Sequence, residues 1–233
     1  MNALSRTGIL GGTFDPIHVG HLDAALAAKQ TLALNEILVV PARLTPHKNP
    51  KGQVEWQHRF TMSELATADI PGMRVSDVEL KMPSSSPSYT SLTLQRISES
   101  GYSSKQMFFI IGSDAFSEIE QWHNYPQVME QSHFVVISRS GLSNAELRRK
   151  LPSLSDRMRT VSATNDRSAT VARTTNSPSI WLIETKTRNV SSSDVRELLS
   201  KNQSTEGLLP TGVRSYISKH RLYSDRPHTA VLS

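Results

Sequence analysis

Two histidines three residues apart, His18 and His21, lie near the N-terminus in a segment rich in glycine and turn-forming residues. The segment, residues 8–22, reads Gly-Ile-Leu-Gly-Gly-Thr-Phe-Asp-Pro-Ile-His-Val-Gly-His-Leu, and we call it the phosphate elbow. Histidines at this spacing share one face of a first helical turn, and Gly20 between them is expected to keep the backbone accessible. Each ring can donate a hydrogen bond to a phosphate oxygen, more strongly when it is protonated. The pair therefore predicts a ligand that carries phosphate.

The residues around the histidines predict a strand, a turn and a helix. Apolar spacing indicates a strand that ends at Leu10 and a helix from about Val19. We expect Gly11 and Gly12 to turn through backbone angles that a Cβ forbids, and Asp15 to favour a second turn by bonding nearby amides. The first amides and the positive dipole end of the helix would then face the end of the strand, which is a ready anion site.

A second polar cluster opens a predicted helix near the C-terminus, in the run Ser-Ser-Ser-Asp-Val-Arg over residues 191–196. Ser191 and Asp194 match a capping box, which explains one serine. The box does not explain the other serines or Arg196, whose guanidinium would project near the N-terminal end of the helix. Hydroxyls, a guanidinium and a helix N-terminus together predict a second phosphate clamp.

Polar side chains also follow two other predicted strands. His47 and Lys48 end a basic loop after the second strand, and we expect one of them to meet an anionic substrate. Asp114 follows the most apolar strand in the chain, where it is a candidate acceptor for ribose hydroxyls or a cap of the next helix. Ligands of parallel sheets bind at the carboxyl ends of the strands, so these residues belong to the same edge as the elbow.

Strand-like and helix-like segments alternate along the chain. Strands are predicted at 7–10, 36–40, 73–78, 107–111, 133–138 and 180–184, and helices at 19–30, 54–68, 90–98, 144–151, 191–199 and 209–222. This alternation predicts an α/β fold with a parallel sheet and right-handed crossovers. With 233 residues, we expect one domain over 1–223, a flexible loop or insertion at 160–177 and a disordered tail at 224–233.

Composition narrows the class of protein. Hydrophobic residues make up 37% of the chain and no apolar run approaches the length of a membrane span, so we expect no membrane association. No secretory signal pattern precedes the first strand, and the absence of cysteine excludes a cysteine nucleophile, so a cytoplasmic setting is expected. The net charge of +5 comes largely from residues 148–173, which contain no aromatic residue for base stacking, and no nucleic acid is expected as a partner.

Several motifs, taken in their order along the chain, resemble those of one enzyme family. They are the elbow, Thr-Pro-His-Lys at 45–48, Ser-Tyr-Thr-Ser-Leu-Thr-Leu at 88–94, Phe-Ile-Ile-Gly-Ser-Asp at 109–114 with Trp122 downstream, Arg-Ser-Gly at 139–141 and Val-Ser-Ser-Ser-Asp-Val-Arg at 190–196. Together they resemble the bacterial nicotinate-nucleotide adenylyltransferases, within the nucleotidyltransferase superfamily that carries the HxGH signature. The resemblance covers about residues 7–223, with 160–177 as its main gap.

The resemblance implies a Rossmann-like parallel sheet of the nucleotidyltransferase type, with helices on both faces. It also implies adenylyl transfer from ATP to nicotinate mononucleotide, which gives deamido-NAD and pyrophosphate in NAD biosynthesis without a covalent enzyme intermediate. Mg²⁺ is expected to arrive on the ATP phosphates, with no dedicated protein site. Two departures stand out: the family's usual Ser-Ser-Thr is Ser-Ser-Ser at 191–193, and its usual Arg-Pro-Gly is Arg-Ser-Gly at 139–141.

The resemblance further implies roles for individual residues. The implied catalytic residues are His18, His21 and Arg196. ATP would be bound by Gly11, Gly12, Thr13, Phe14, His18, Gly20, His21, Gly112, Asp114, Ser192, Ser193 and Arg196. The acceptor nucleotide would be bound by His47, Lys48, Tyr89, Thr90, Trp122 and Arg139, with the ring of Trp122 stacked on the pyridine ring.

Three alternatives share the elbow. A pantetheine-phosphate adenylyltransferase and a cytidylyltransferase would keep the same chemistry with a different acceptor or nucleotide. A non-catalytic nucleotide-binding or nucleic-acid-binding protein would keep the fold without turnover. The sequence is also compatible with a homo-oligomer.

Overall fold

The structure is a computed structural model that describes residues 5–45, 53–83, 86–138, 142–161, 177–185 and 187–224. These residues form seven strands, β1 (Thr7–Gly12), β2 (Glu36–Pro41), β3 (Met73–Val75), β4 (Met107–Gly112), β5 (His133–Ser138), β6 (Met158–Val161) and β7 (Ile180–Glu184). The strands build one sheet in the order β3-β2-β1-β4-β5-β7-β6. Every neighbouring pair in that order is parallel, as the sequence predicts.

Helices connect the strands. They are α1 (Val19–Thr31), α2 (Trp56–Thr67), α3 (Thr90–Glu99), α4 (Ser113–Phe116), α5 (Asn144–Lys150), α6 (Ser192–Ser200) and α7 (Thr211–His220), with 3₁₀ turns at Val78–Lys81, Ile119–Gln121, Gln127–Glu130 and Pro152–Arg157. No helix in these described stretches is both long and apolar enough to cross a lipid bilayer.

Each central strand sends alternate side chains to opposite faces of the sheet, because the side-chain period of a strand is two residues. Leu10, Ile110 and Val135 join one buried core together with residues of α1, α2, α6 and α7. Their neighbours Ile9 and Phe109 join a second core with residues of α3, α4 and α5. Helices therefore cover both faces, which confirms the fold class expected from the sequence.

The order in which strands are added to the sheet reverses at β1, although all strands stay parallel. From β1 the chain first builds outward through β2 to β3, and it then returns to add β4 on the other side of β1. Leu10 pairs with Ile110 just before both strands end in glycine. Such a reversal opens a crevice at the carboxyl ends of the two strands, and this is where open α/β sheets bind ligands. The elbow follows β1 and therefore begins in this crevice.

Two predicted elements differ from the structure. The strand expected at 73–78 ends at Val75, and Val78 instead begins a 3₁₀ turn. The expected loop at 160–177 was wrong at its start, because Thr160 and Val161 end strand β6, which pairs with β7 at the edge of the sheet. Apolar periodicity is weak in this four-residue strand, whose middle residues are exposed. Residues 162–176 lie outside the described part of the chain.

A fully buried histidine begins β5. Nδ1 of His133 accepts hydrogen bonds from the backbone N–H of Ser179 at 3.0 Å and from Nε1 of Trp181 at 3.4 Å. A protonated Nδ1 could accept neither bond, so this packing selects the neutral ring. Burial lowers the pKa of His133 from 6.5 to about 4.

His133 should make stability depend on pH in the acid range. Between pH 6.5 and 4, His133 is protonated more readily in the unfolded chain than in the folded one. The stability that neutral His133 contributes above pH 6.5 is therefore lost as the pH falls towards 4. We expect a loss of about 3 kcal/mol in the free energy of unfolding over this range. Urea denaturation at several pH values measures it. The His133→Asn variant, which keeps an acceptor and does not titrate, should show a shallower dependence; equal slopes would contradict the assignment.

Candidate active site

The turn that opens the elbow is made by Phe14. Gly11 and Gly12 are the last residues of β1, and neither has the positive φ expected from the sequence. The left-handed angle falls on Phe14, at φ 50°, and burial of its ring holds it there. The glycines matter for space instead, because a Cβ on Gly12 would lie 2.8 Å from the ring of Phe14, and one on Gly11 would lie 3.0 Å from Phe109.

Asp15 also differs from its predicted role. Its Oδ1 accepts from the hydroxyl of Tyr223 at 2.7 Å and from the backbone N–H of Val54 at 3.4 Å. Both partners are distant in sequence, whereas the sequence predicted bonds to nearby amides. The buried carboxylate of Asp15 thus joins the elbow to the segment before α2 and to the segment that follows α7.

The two histidines stack on each other at the start of α1. Their ring centroids are 3.6 Å apart, with His18 at the N-cap and His21 in the first turn. Nδ1 of His21 accepts from the backbone N–H of His18 at 3.2 Å. The neutral ring then carries its proton on Nε2, so His21 is oriented to donate from that nitrogen. His18 is buried and His21 is partly exposed, which makes His21 the more accessible of the two.

The backbone amides at the N-terminus of α1 are less accessible to an anion than the sequence predicts. The backbone N–H of Val19 donates to the carbonyl of Leu208 at 3.0 Å, so this first amide already has a protein partner. Gly20 is buried, and a Cβ there would lie 3.0 Å from Val190 and 3.1 Å from the carbonyl of Arg188. Its small size therefore lets the segment before α6 approach the elbow. The donors that remain toward a phosphate are chiefly side chains.

The second clamp begins as predicted and contacts the first. Ser191 and Asp194 form the capping box of α6. Ser192 donates from Oγ to the carbonyl of Pro16 at 3.0 Å, and Nη1 of Arg196 donates to the carbonyl of Asp15 at 2.7 Å. Two hydrogen bonds thus hold the N-terminal turn of α6 against the elbow.

An ion pair fixes the segment before α6 to α1. Arg188 donates from Nε and Nη2 to the two carboxylate oxygens of Asp23, at 2.8 and 2.6 Å. These hydrogen bonds lower the pKa of Asp23 below its ordinary value. A bidentate pair restricts orientation as well as distance, so it supports the approach of this segment to the elbow.

The exposed end of the Arg196 guanidinium contacts a second serine of α6. Its Nη2 donates to Oγ of Ser193 at 3.2 Å, and its side chain is 36% exposed. Ser193 itself is exposed. A guanidinium carries five N–H donors, so Arg196 retains the capacity to bind an anion beside the histidines.

A cleft of about 220 Å³ opens at the crevice between β1 and β4. Its walls combine elbow backbone, strand ends, the start of α3 and one tryptophan, with lining residues Gly11, Gly12, Thr13, Val40, Ala42, Glu79, Ser88, Thr90, Thr93, Phe109, Ile111, Ala115 and Trp122. The indole of Trp122 meets Phe109 edge to face, with ring centroids 6.3 Å apart. Of the residues predicted to bind the acceptor, Thr90 and Trp122 line this cleft.

Other predicted residues lie beside the cleft. Tyr89 stacks on His123 with ring centroids 4.3 Å apart, and Nδ1 of His123 is 2.9 Å from Oγ of Ser91. Gly112 is the N-cap of the short helix α4, and Asp114 is exposed in its first turn without capping it. The remaining predicted acceptor residues, His47, Lys48 and Arg139, lie outside the described part of the chain.

Sequence reasoning missed two buried charged residues. Glu79 accepts from the hydroxyl of Ser88 at 2.6 Å and from the hydroxyl of Thr93, and so ties α3 to the cleft wall. Its only sequence signal is an acidic residue between two apolar ones. Arg59 lies on the buried face of α2 with Met62, where a helical core position would normally be apolar.

The guanidinium of Arg59 donates to four backbone carbonyls, those of Thr13, Ala42, Arg43 and Val54. The donor–acceptor distances run from 2.6 to 3.2 Å. Burial lowers the pKa of Arg59 below its ordinary value, while the Asp15 carboxylate acts in the opposite direction. Arg59 therefore connects the elbow with the loop after β2 and the segment before α2.

The described residues contain no group of three or more His, Asp or Glu side chains positioned to hold a metal ion. The hydrogen-bond donors on the two clamps are histidine, serine and arginine side chains, which suit phosphate oxygens better than a hard cation. These donors fit a nucleotide whose phosphates carry their own cation.

Comparison with known proteins identifies close relatives. The chain matches the family model described as cytidylyltransferase-like over residues 9–198. A protein of Geotalea daltonii named "Probable nicotinate-nucleotide adenylyltransferase" is 37% identical over 223 residues, covering 94% of this chain and 99% of the relative. Proteins of the same name from Geobacter sulfurreducens and Shewanella pealeana are 35% and 34% identical, each over 94% of this chain, and the matches cover 98% and 95% of the relatives.

The fold also matches solved structures. The nicotinic acid mononucleotide adenylyltransferase of Plasmodium falciparum complexed with NaAD aligns over 94% of this chain and 97% of its own, with a TM-score of 0.65 and 21% identity. The same protein complexed with APC aligns with a TM-score of 0.65 and 20% identity. At this identity the likeness concerns the fold, which is the Rossmann-like nucleotidyltransferase type.

Removal of the Arg59 guanidinium should destabilise the protein strongly. Arg59→Met leaves four carbonyls without their donor at a site that is 2% exposed, and we expect the free energy of unfolding to fall by about 3–5 kcal/mol. Urea denaturation at neutral pH measures the loss. Arg74→Met is the matched control, because Arg74 is exposed and pairs with Glu36 at the surface, and its loss should be below about 1 kcal/mol. Similar losses in both variants would contradict this role.

Proposed function

The chain belongs to the family of nicotinate-nucleotide adenylyltransferases, and on that premise we propose that it transfers the adenylyl group of ATP to nicotinate mononucleotide. The products are deamido-NAD and pyrophosphate, a step of NAD biosynthesis. One observation carries the proposal most directly: the elbow backbone, Thr90 and Trp122 line one cleft, and the elbow that lines it also contacts the Arg196 clamp.

The two clamps suit the triphosphate of ATP. His21 presents Nε2 as a donor, and we assign it the α-phosphate, where charge develops during transfer. His18 supports it by stacking. Ser193 lies on the first turn of α6 and Arg196 about one turn into it, and we assign them the β- and γ-phosphates. Ser192 already donates to the elbow, so we assign its oxygen an orienting role between the two clamps.

The cleft suits the acceptor nucleotide. Trp122 offers an aromatic face for the pyridine ring, and Thr90 offers a hydroxyl and the start of a helix beside it. The backbone of Gly11–Thr13 lies in the same cleft and would bring the acceptor phosphate toward ATP. We retain His47, Lys48 and Arg139 as predicted contacts of acceptor phosphate or carboxylate. Gly112 and Asp114 stay predicted neighbours of the adenosine ribose.

The reaction needs no nucleophile from the protein. An oxygen of the acceptor phosphate attacks the α-phosphorus of ATP, the bond from that phosphorus to the bridging oxygen breaks, and the electron pair leaves with pyrophosphate. The chain contributes alignment of the two nucleotides and donors that stabilise the developing charge. Mg²⁺ enters with ATP as part of the substrate and neutralises charge on the phosphate oxygens.

We further propose that residues 1–223 act as one domain. Residues from Ile9 to Ile217 contribute to the two cores on one sheet, which supports this organisation. The tail at 224–233 and the cytoplasmic setting stay predictions from the sequence, as do a homo-oligomer and the lack of a nucleic-acid partner.

A direct assay tests the acceptor. The purified chain is incubated with ATP, Mg²⁺ and either nicotinate mononucleotide, nicotinamide mononucleotide or phosphopantetheine, and pyrophosphate release is followed. We expect release with nicotinate mononucleotide and none with phosphopantetheine. Pyrophosphate release with phosphopantetheine alone would indicate a pantetheine-phosphate adenylyltransferase instead. Release only when CTP replaces ATP would indicate a cytidylyltransferase. No release with any pair would leave a nucleotide-binding protein without turnover.

The His21→Ala variant tests the triphosphate assignment. Loss of a donor to the reacting phosphate should lower kcat by about 10²–10³-fold, while KM for nicotinate mononucleotide changes little. Initial rates with both substrates varied give the two constants. The exposed His220 on α7 provides a control, since His220→Ala should retain the kinetics of the unmodified chain. Turnover near normal in His21→Ala would remove it from the mechanism.

The Trp122→Ala variant tests the acceptor pocket. Loss of a stacking face worth about 1–3 kcal/mol should raise KM for nicotinate mononucleotide by about 10–100-fold and leave KM for ATP nearly constant. Trp122→Phe keeps a smaller aromatic face and should give an intermediate KM. The assignment fails if KM for ATP rises by as much as KM for the acceptor.

A further inference from the structure

The segment that follows α7, residues 221–223, folds back onto the elbow. After α7 ends, Arg221 and Tyr223 adopt left-handed backbone angles, with φ of 53° and 64°. The backbone N–H of Leu222 donates to the carbonyl of Ile217 at 3.1 Å, and the side chains of Leu222 and Tyr223 pack against the core that contains α1 and α6. The packing of Tyr223 holds its positive φ and directs its hydroxyl to Asp15.

Asp15 therefore meets a hydroxyl on one side and a guanidinium on the other. Its Oδ1 is bound by Tyr223 at 2.7 Å. Arg196 bonds the backbone carbonyl of Asp15 at 2.7 Å, while the nearest carboxylate oxygen, Oδ2, is 3.9 Å from Nη1 of Arg196. A neutral carbonyl thus orients the guanidinium, which forms only a long ion pair with the Asp15 carboxylate, outside hydrogen-bond distance.

This difference matters for the charge on Arg196. A hydrogen bond to a carbonyl fixes the position of a guanidinium and leaves its positive charge available. A direct hydrogen bond to the Asp15 carboxylate would strengthen the 3.9 Å ion pair, offset more of that charge and occupy a second N–H group. Burial and the Asp15 carboxylate both raise the pKa of Tyr223 above 10, so its hydroxyl keeps its proton and remains a donor at neutral pH.

We propose that Tyr223 is a positioning residue for the transfer reaction: its hydroxyl holds the carboxylate of Asp15 away from Arg196, so that the guanidinium keeps its charge for the leaving phosphates. The inference rests on the proposed function, in which Arg196 binds the β- and γ-phosphates. Tyr223 itself contacts Asp15 and acts on ATP only through Arg196.

The Tyr223→Phe variant removes the hydroxyl and keeps the ring. Without this hydroxyl, Oδ1 of Asp15 keeps only the 3.4 Å hydrogen bond from the backbone N–H of Val54, and we expect the carboxylate to close the 3.9 Å gap to Arg196. We expect kcat/KM for ATP to fall about tenfold, which corresponds to loss of one charged hydrogen bond, and the dissociation constant of ATP to rise. KM for nicotinate mononucleotide should stay within about twofold. Steady-state kinetics and calorimetric titration of ATP in the presence of Mg²⁺ provide these numbers.

Tyr216→Phe is the matched control. Tyr216 lies on α7, and its hydroxyl is bonded to Nδ1 of His58 at 2.9 Å, so its removal also deletes one part-buried hydrogen bond of a tyrosine hydroxyl. We expect wild-type kinetics and a thermal midpoint close to that of Tyr223→Phe. Equal kinetic effects in the two variants would reduce Tyr223 to a general stabilising contact and overturn the proposal.

A second substitution distinguishes charge from loosened packing. Replacing Asp15 by Asn in the Tyr223→Phe background removes the negative charge that would compete for Arg196. Most of the lost kcat/KM for ATP should return in the double variant; if it does not, the carboxylate is not the cause and the proposal fails. The unmodified chain in the same assay distinguishes failure of the proposed function from failure of this inference. No turnover by the unmodified chain contradicts the proposed function. Turnover by the unmodified chain together with an unchanged kcat/KM for ATP in Tyr223→Phe contradicts this inference alone.

Discussion

The buried guanidinium of Arg59 is the constraint around which the active-site loops are arranged. It donates to carbonyls of the elbow, of the loop after β2 and of the segment before α2, none of which has a regular backbone partner at these positions. Loops are difficult to bury because their carbonyls need donors. One planar cation with several donors meets that need for all three, so loops remote in sequence share a common support.

A second group of contacts depends on that support. The carbonyls of Asp15 and Pro16 accept from Arg196 and Ser192, which joins the two phosphate clamps through backbone atoms. Because the elbow is already held by Arg59 through Thr13, the N-terminus of α6 docks on a fixed surface. The ion pair of Arg188 with Asp23 and the absence of a side chain at Gly20 bring the preceding segment equally close. Contacts within the protein therefore hold the two clamps together, and such contacts limit the entropy cost of ordering a binding site.

Much of this could be predicted from the sequence, because the signals were local. Alternating apolar segments indicated the parallel sheet, and the spacing of His18 and His21 indicated a shared helical face. Contacts between distant residues could not be read in this way. The role of Arg59 depends on four carbonyls that come together only in the fold, and Tyr223 meets Asp15 208 positions away. The reason given for Gly11 and Gly12 was wrong, because the rings of Phe14 and Phe109, rather than the backbone angle, demand glycine there, and the positions of both rings follow only from the fold.

The long sequence separation between Asp15 and its partners Arg196 and Tyr223 also affects how the protein folds during its synthesis. Five of the seven described strands lie before residue 139, so most of the sheet can assemble while the C-terminal part is still being synthesised. Arg196 joins the elbow across 181 residues, and Tyr223 follows later still. Contacts of such sequence separation form slowly and late. On the proposed function, the triphosphate site consequently needs residues up to Tyr223, and we expect ATP not to stabilise an emerging fragment that still lacks the second clamp.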